Sequence, residues 1–166
     1  MTNPFKVNGV FNFKLLIILL LLPQVVGWAS GFLSMGSAEV YQTLKQPSFA
    51  PPGWIFAPVW TLLYFLMGLA SYRIILLIAQ NKSTKLPFNI YLLQLLFNFF
   101  WTIIFFRWEL RGIAFSEIII LLVLILIITI LFFRVDKIAG SLMVPYLLWV
   151  SFASVLNYSV YQLNKI

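Results

Sequence analysis

The sequence predicts an all-α integral membrane protein: a bundle of five transmembrane helices with a long proline-rich loop between the first and second. Three observations lead there. Of the 166 residues, 63% are hydrophobic and 9% charged, with a mean hydropathy of +1.02, a balance that a water-soluble domain of this length does not sustain. The apolar residues fall into five runs, each close to the ~20 residues of helix needed to cross a hydrocarbon core about 30 Å thick. The charged residues collect in the short stretches between the runs, so residues 1–166 read as a single domain without a separate soluble part.

Residues 1–14 are polar enough to stay outside the bilayer, and Lys6 and Lys14 flank the first span, residues 15–33. Gly36-Ser37-Ala38 has the small side chains of a signal-peptidase site, but the apolar stretch is longer than the ~7–15 residues of a signal-peptide core, so it reads as a retained span. Pro23 predicts a kink there. Gly27 and Gly31 predict a small-residue face for close packing inside the bundle, or alternatively in a dimer.

Residues 34–53 form the longest loop. Val40, Tyr41 and Leu44 fall on one side of a short amphipathic helix within SAEVYQTLKQ, and a long ordered loop in so small a membrane protein lines or lids a site. The stretch Pro47 to Trp60, PSFAPPGWIFAPVW, holds four prolines and two tryptophans. Pro47, Pro51 and Pro52 lack amide donors and hold the residue before each in extended backbone, so the loop runs to about Gly53. Pro58 then falls in the first turn or so of a helix, where a missing N–H costs least.

The second span, residues 54–78, carries Trp60, Tyr64, Met67, Gly68 and Ser71 on one face, with Trp54 and Trp60 at its mouth; Arg73 lies near enough to its end to snorkel. A polar turn with Lys82 and Lys85 leads to the third span, residues 88–106. There Gln94, Asn98 and Trp101 repeat at i, i+4, i+7, and the expense of amides against lipid turns that stripe into the bundle. Asn98 serves either to bond a neighbouring helix or to contact a ligand. The fourth span, residues 113–133, contains Glu117, read as stabilised by the helix N-terminus or paired with Arg107 or Arg111, with catalysis as the alternative. In the fifth, residues 142–161, Trp149, Ala153, Leu156, Asn157 and Val160 share a face, and Ala153 leaves room beside Trp149 for a flat ligand.

The chain has no cysteine and no histidine, which removes disulfides, thiol chemistry, imidazole bases and the usual zinc or haem ligands, so no metal site is expected. The net charge of +7 resides at helix ends, which points to a membrane surface and away from nucleic acid. Seven lysines and arginines lie on the amino-terminal side (Lys6, Lys14, Arg73, Lys82, Lys85, Arg134, Lys137) against four opposite (Lys45, Arg107, Arg111, Lys165), which predicts a cytoplasmic N terminus. No internal repeat of the transporter kind is present.

Three stretches of the chain, PSFAPPGWIFAPVWTLLYFLMGLASY (Pro47 to Tyr72), FNFFWTIIFF (Phe97 to Phe106) and PYLLWVSFASVLNY (Pro145 to Tyr158), resemble the TspO/MBR family of bacterial tryptophan-rich sensory proteins and mitochondrial translocator proteins. The resemblance covers the chain after about residue 20 and implies a multi-pass protein of a bacterial cell membrane, usually a homodimer. It also implies a cavity under the first loop that takes porphyrins such as protoporphyrin IX, or other flat hydrophobic ligands. It places the ligand among Phe49, Trp54, Trp60, Tyr64, Asn98, Trp101, Trp149, Ala153 and Leu156. Lys45, Arg107 and Arg111 lie on the loop's side of the membrane and would meet the porphyrin propionates. The expected function is that of a membrane receptor or sensor needing no cofactor, with the porphyrin as ligand. The alternatives are light-dependent porphyrin degradation, in which Trp60 and Trp149 would be the catalytic residues and porphyrin the substrate, and small-molecule transport. The chain departs from the family where Phe49 replaces a loop tryptophan, where Val40, next to Tyr41, replaces another that many bacterial members carry, and where Ile113 replaces a cavity tryptophan of the animal members. Ser159 and Gln162 interrupt the animal sterol-recognition pattern, which implies weak sterol binding.

Overall fold

The computed structural model describes residues 4–165. Helix α1 (Phe13–Leu33) starts at Asn12, whose side chain accepts from the Leu15 amide at 3.0 Å. Helix α2 (Ser37–Thr43) is the short amphipathic helix of the loop. A single 3₁₀ turn at Gly53–Ile55 leads into α3 (Phe56–Ala79), and α4 (Leu86–Thr102) ends in a π-helical turn, Ile103–Arg107. Helices α5 (Arg111–Val135) and α6 (Lys137–Leu163) complete the chain. Five of these segments, those beginning at Phe13, Gly53, Leu86, Arg111 and Lys137, are long and apolar enough to span a bilayer.

The spans close into a ring: α1 packs on α3 and α4, α3 on α6, α6 on α5, and α5 on α4. Alternation along the chain makes every packed pair of the ring antiparallel except α1 and α4, which run parallel, with the 34–53 loop at one end and the amino-terminal segment at the other. Met67, Ile74, Tyr91, Ile125, Phe132 and Met143 are among the side chains fully buried at the centre, while most outward positions carry Leu, Ile or Phe. Lipid tails are as apolar as these side chains, so association depends on close packing and polar contacts between helices. At Gly68 a Cβ would lie 2.6 Å from the Leu19 carbonyl oxygen, so the absence of a side chain is what lets α3 lie against α1.

The expected Gly27–Gly31 face divides in the structure. A Cβ at Gly27 would fall inside the Tyr64 ring, whereas one at Gly31 would meet nothing within 4 Å. Only Gly27 makes a close approach, and it admits an aromatic side chain in place of a helix backbone.

Arg73 corrects another expectation. It does not snorkel; it is 4% exposed and holds Asp136 bidentately, Nε to Oδ1 at 3.0 Å and Nη2 to Oδ2 at 2.8 Å. Its Nη1 donates to the Pro4 and Lys6 carbonyls at 2.7 and 3.2 Å. Asp136 also caps α6, accepting from the Ala139 amide at 2.7 Å. The planar guanidinium thus joins three chain segments, a task that a flexible ammonium performs poorly. The amino-terminal segment folds onto this point: Asn8 and Gly9, at φ 52° and 80°, make a left-handed tight turn closed by reciprocal Val7–Val10 backbone bonds of 3.0 Å. Val7 is buried, and the Tyr72 hydroxyl donates to the Phe5 carbonyl at 3.2 Å.

Candidate functional site

At the loop end the lid is built around Tyr41. Its position in α2 buries the ring, its hydroxyl donates to the Pro51 carbonyl at 2.9 Å, and its own carbonyl accepts from Gln46 Nε2 at 2.6 Å. Burial raises the Tyr41 phenol above its ordinary value, so it remains a donor at neutral pH. The ring meets Phe56 edge-on at 5.3 Å, and Leu44 inserts among Phe105, Ala114, Leu156 and Val160. Beyond the lid, Lys45 and Asn164 exchange two bonds, Lys45 N to Asn164 Oδ1 at 3.0 Å and Asn164 Nδ2 to the Lys45 carbonyl at 2.9 Å.

Beneath lies a polar relay across three helices. Tyr64 of α3 donates to Asn98 Oδ1 at 2.7 Å, and Asn98 Nδ2 of α4 donates to the Tyr146 oxygen at 3.1 Å. Tyr146 of α6 in turn donates to Gln94 Oε1 at 2.9 Å. Each residue is one that helical spacing turns inward, and the low dielectric strengthens each link. Trp60 stands on this floor, 5.3 Å from Tyr64 and 6.1 Å from Tyr146, and a second aromatic group adjoins it, in which Trp149 lies 5.9 Å from Phe56 and 5.6 Å from Phe152. The π turn ending α4 widens the backbone there, with Trp108 N bonding Ile103 O at 2.9 Å, and brings Phe105 to 5.3 Å from Trp101. Such turns recur at functional sites because they re-aim side chains that a regular helix would misplace.

The structure therefore brings together Trp60, Tyr64, Asn98 and Trp149, with Trp101, Ala153 and Leu156 on the adjoining walls. Phe49 is partly exposed at the rim and meets Phe152 edge-on at 6.3 Å. Trp54 is 73% exposed, turned away from the chamber. Lys45 and Arg107 are exposed at the same end of the bundle, while Arg111 Nη2 bonds Glu109 Oε2 at 3.0 Å. Sequence reasoning passed over Phe56, Phe152 and Tyr146. Tyr146 was within reach, since it precedes Trp149 by three residues on the inner face of α6; the two phenylalanines carry no signal that distinguishes them among 17.

Glu117 is a correction. It is 8% exposed, and neither carboxylate oxygen meets a hydrogen-bond partner, so it is not paired with Arg107 or Arg111. Arg111 is engaged by Glu109, and the π turn carries Arg107 outward to the surface.

Leu44, Phe56 and Phe152 fill the space beneath the loop, where the ligand chamber is expected. On the lipid side of α3 and α6, a groove of about 390 Å³ is lined by Val59, Leu62, Leu63, Pro145, Leu148, Trp149 and Phe152. Trp149 and Phe152 thus separate the chamber from the bilayer.

The chain matches the TspO/MBR family over residues 19–163. It is 37% identical to the tryptophan-rich protein TspO of Chlorobaculum tepidum over 140 residues, covering 84% of this chain and 89% of that one. It is 36% identical to the tryptophan-rich sensory protein of Cereibacter sphaeroides, over 76% of this chain and 77% of that one. Against the translocator protein of Bos taurus the identity is 32%, over 88% of each.

Proposed function

The chain belongs to the TspO/MBR family, and from that premise we propose that it is a membrane sensor whose chamber under the loop receives a flat hydrophobic ligand of the porphyrin class. The observation that carries the reading is the polar floor Tyr64–Asn98–Tyr146–Gln94 with Trp60 packed on Tyr64 and Tyr146, beside the linked rings Phe56–Trp149–Phe152. Stacking on an indole or phenol contributes on the order of 1 kcal/mol beyond the area buried, and a porphyrin face is large, so two or three such contacts suffice for micromolar binding. Entry displaces the loop, whose ties to the bundle are a few hydrogen bonds and the Leu44 contact. The rim cations Lys45, Arg107 and Arg111 lie where propionates would emerge.

Quenching of tryptophan fluorescence by protoporphyrin IX in the micromolar range tests binding, with Trp149→Phe and Asn98→Leu expected to weaken it about tenfold. Unchanged fluorescence across that range would refute the proposal. Illumination of the complex separates sensing from turnover: stable porphyrin bands fit a sensor. Light-dependent loss of the bands with a new product, abolished by Trp149→Phe, would replace the sensor with an enzyme.

A further inference from the structure

Helices α5 and α6 run antiparallel in a register fixed by two contacts: a Cβ on Gly112 would meet the Tyr161 ring at 3.1 Å, and the Phe115 and Tyr158 rings are 5.1 Å apart. Continuing that register by one step sets Glu117 opposite Leu156 and Asn157. Both side chains face the seam. Glu117 lies one turn from Ala114, and Asn157 lies one turn from Val160, its neighbour in the same buried cluster. Trp101 of α4 packs against that cluster from the third side.

These three residues share an anomaly. Glu117 is 8% exposed with both oxygens unpartnered, Asn157 is 2% exposed with both side-chain amide atoms unpartnered, and Trp101 Nε1 is buried without an acceptor. Orphaned polar atoms are rare, and an unpaired carboxylate is the most expensive kind. Apolar residues surround them, so the site has a carboxyl group that a bound cation would hold ionised, an amide of both polarities and an aromatic wall. That is the complement of a protonated amine on an apolar body, with an adjacent hydroxyl or carbonyl oxygen for the Asn157 and Trp101 N–H donors.

We propose that Glu117, Asn157 and Trp101 form a recognition site for a lipophilic amine, with Glu117 and Asn157 Oδ1 accepting from the ammonium. The site differs from the porphyrin reading in ligand charge and in Glu117 and Asn157, while Trp101 is common to both: propionates would be held at the cationic rim, away from Glu117.

The test is calorimetric titration of the purified chain in detergent micelles, with heats of titration into empty micelles subtracted. The probes are 2-(naphthalen-2-yl)ethylamine, the alcohol of the same shape, and the N-trimethylated amine. The amine is expected to bind at least tenfold more tightly than either. The trimethylated probe keeps the charge and loses the N–H donors, so equal binding of it and the parent amine would overturn the proposal without any mutation, as would equal binding of amine and alcohol. Glu117→Gln, checked for folding by circular dichroism, is expected to bring amine and alcohol within twofold of each other; a folded Glu117→Gln protein that keeps the tenfold preference also overturns the proposal. Trp149→Phe should leave the preference intact whatever it does to porphyrin binding.

Discussion

Replacing Arg73 with methionine tests the clamp at the amino-terminal end. The substitution keeps most of the apolar stem and removes two bonds to Asp136, at 3.0 and 2.8 Å, and two to backbone carbonyls, at 2.7 and 3.2 Å. It leaves the Asp136 carboxylate with only the Ala139 and Ile138 amides at a site where its side chain is 13% exposed. Removing one partner of a buried pair costs roughly 3–5 kcal/mol. Asp136→Asn keeps the helix cap and one neutral bond to Arg73, so a smaller loss of about 1.5–3 kcal/mol is expected. The assay is reversible unfolding in mixed dodecylmaltoside and dodecyl sulfate micelles, run as a double-mutant cycle. The double variant should lose at least about 1 kcal/mol less than the sum of the single variants, since the pair can be broken only once. Acid should act through the same pair. Burial pushes the Asp136 carboxyl up, but the Arg73 bonds and the Ala139 amide lower it more, leaving it below its ordinary 3.8. The folded form binds this proton more weakly than the unfolded form, so the contribution is fully present above about pH 4 and is lost as pH falls through the folded value. That acid-sensitive component should vanish in Arg73→Met. A loss under about 1 kcal/mol for Arg73→Met, or strict additivity in the cycle, would mean that the guanidinium reaches water at the interface.

Gly27→Ala places a methyl group inside the Tyr64 ring, so Tyr64 must leave Asn98; a loss of about 1–3 kcal/mol is expected, with weaker porphyrin quenching, both measurable on one preparation. Tyr146→Phe deprives Asn98 Nδ2 and Gln94 Oε1 of their shared partner, whereas Tyr64→Phe deprives only Asn98 Oδ1. Unfolding in the same mixed micelles should rank Tyr146→Phe as the more costly by on the order of 0.6 kcal/mol, an average interhelical bond in a membrane. Tyr41→Phe removes the bond to the Pro51 carbonyl and should raise the ligand off-rate several-fold with little change in melting temperature, as read by stopped-flow fluorescence. Reporter fusions at the two termini should place both sides as the charge bias predicts, with the amino terminus cytoplasmic and residue 45 outside; removing buried Arg73 from that count still leaves the bias in the same direction.

Helix number was legible because a bilayer imposes one length and one polarity on every span. The inward stripe Gln94, Asn98, Trp101 and the loop helix bearing Tyr41 were legible for the same reason, polar or amphipathic spacing against an apolar background. What escaped was pairing across sequence distance. Arg73 reads as a snorkelling cation until Asp136, 63 residues later, is brought beside it by the turn between α5 and α6. Glu117 reads as a partner for nearby arginines until the π turn at the end of α4 carries Arg107 away. Asn8-Gly9 is a strong tight-turn signal, yet it lies in a stretch set aside as merely polar.

The two ends of the bundle are held by different physics, and that difference bears on how a ligand enters. At the amino-terminal end a charge-assisted, bidentate pair joins α3, the α6 cap and the leading segment, and its loss exposes an unpaired charge. At the loop end the ties are neutral: Tyr41 to Pro51, the Lys45–Asn164 exchange, and the insertion of Leu44. Each neutral bond contributes about 0.5–1.5 kcal/mol net, and those at the exposed rim can be exchanged for water. Lifting the loop therefore requires a few kcal/mol, within range of local opening, while the opposite end stays closed. In the proposed complex, porphyrin stacking against Trp60 and Trp149 would supply binding energy of that same order, which would couple ligand binding to conformational change at the loop end.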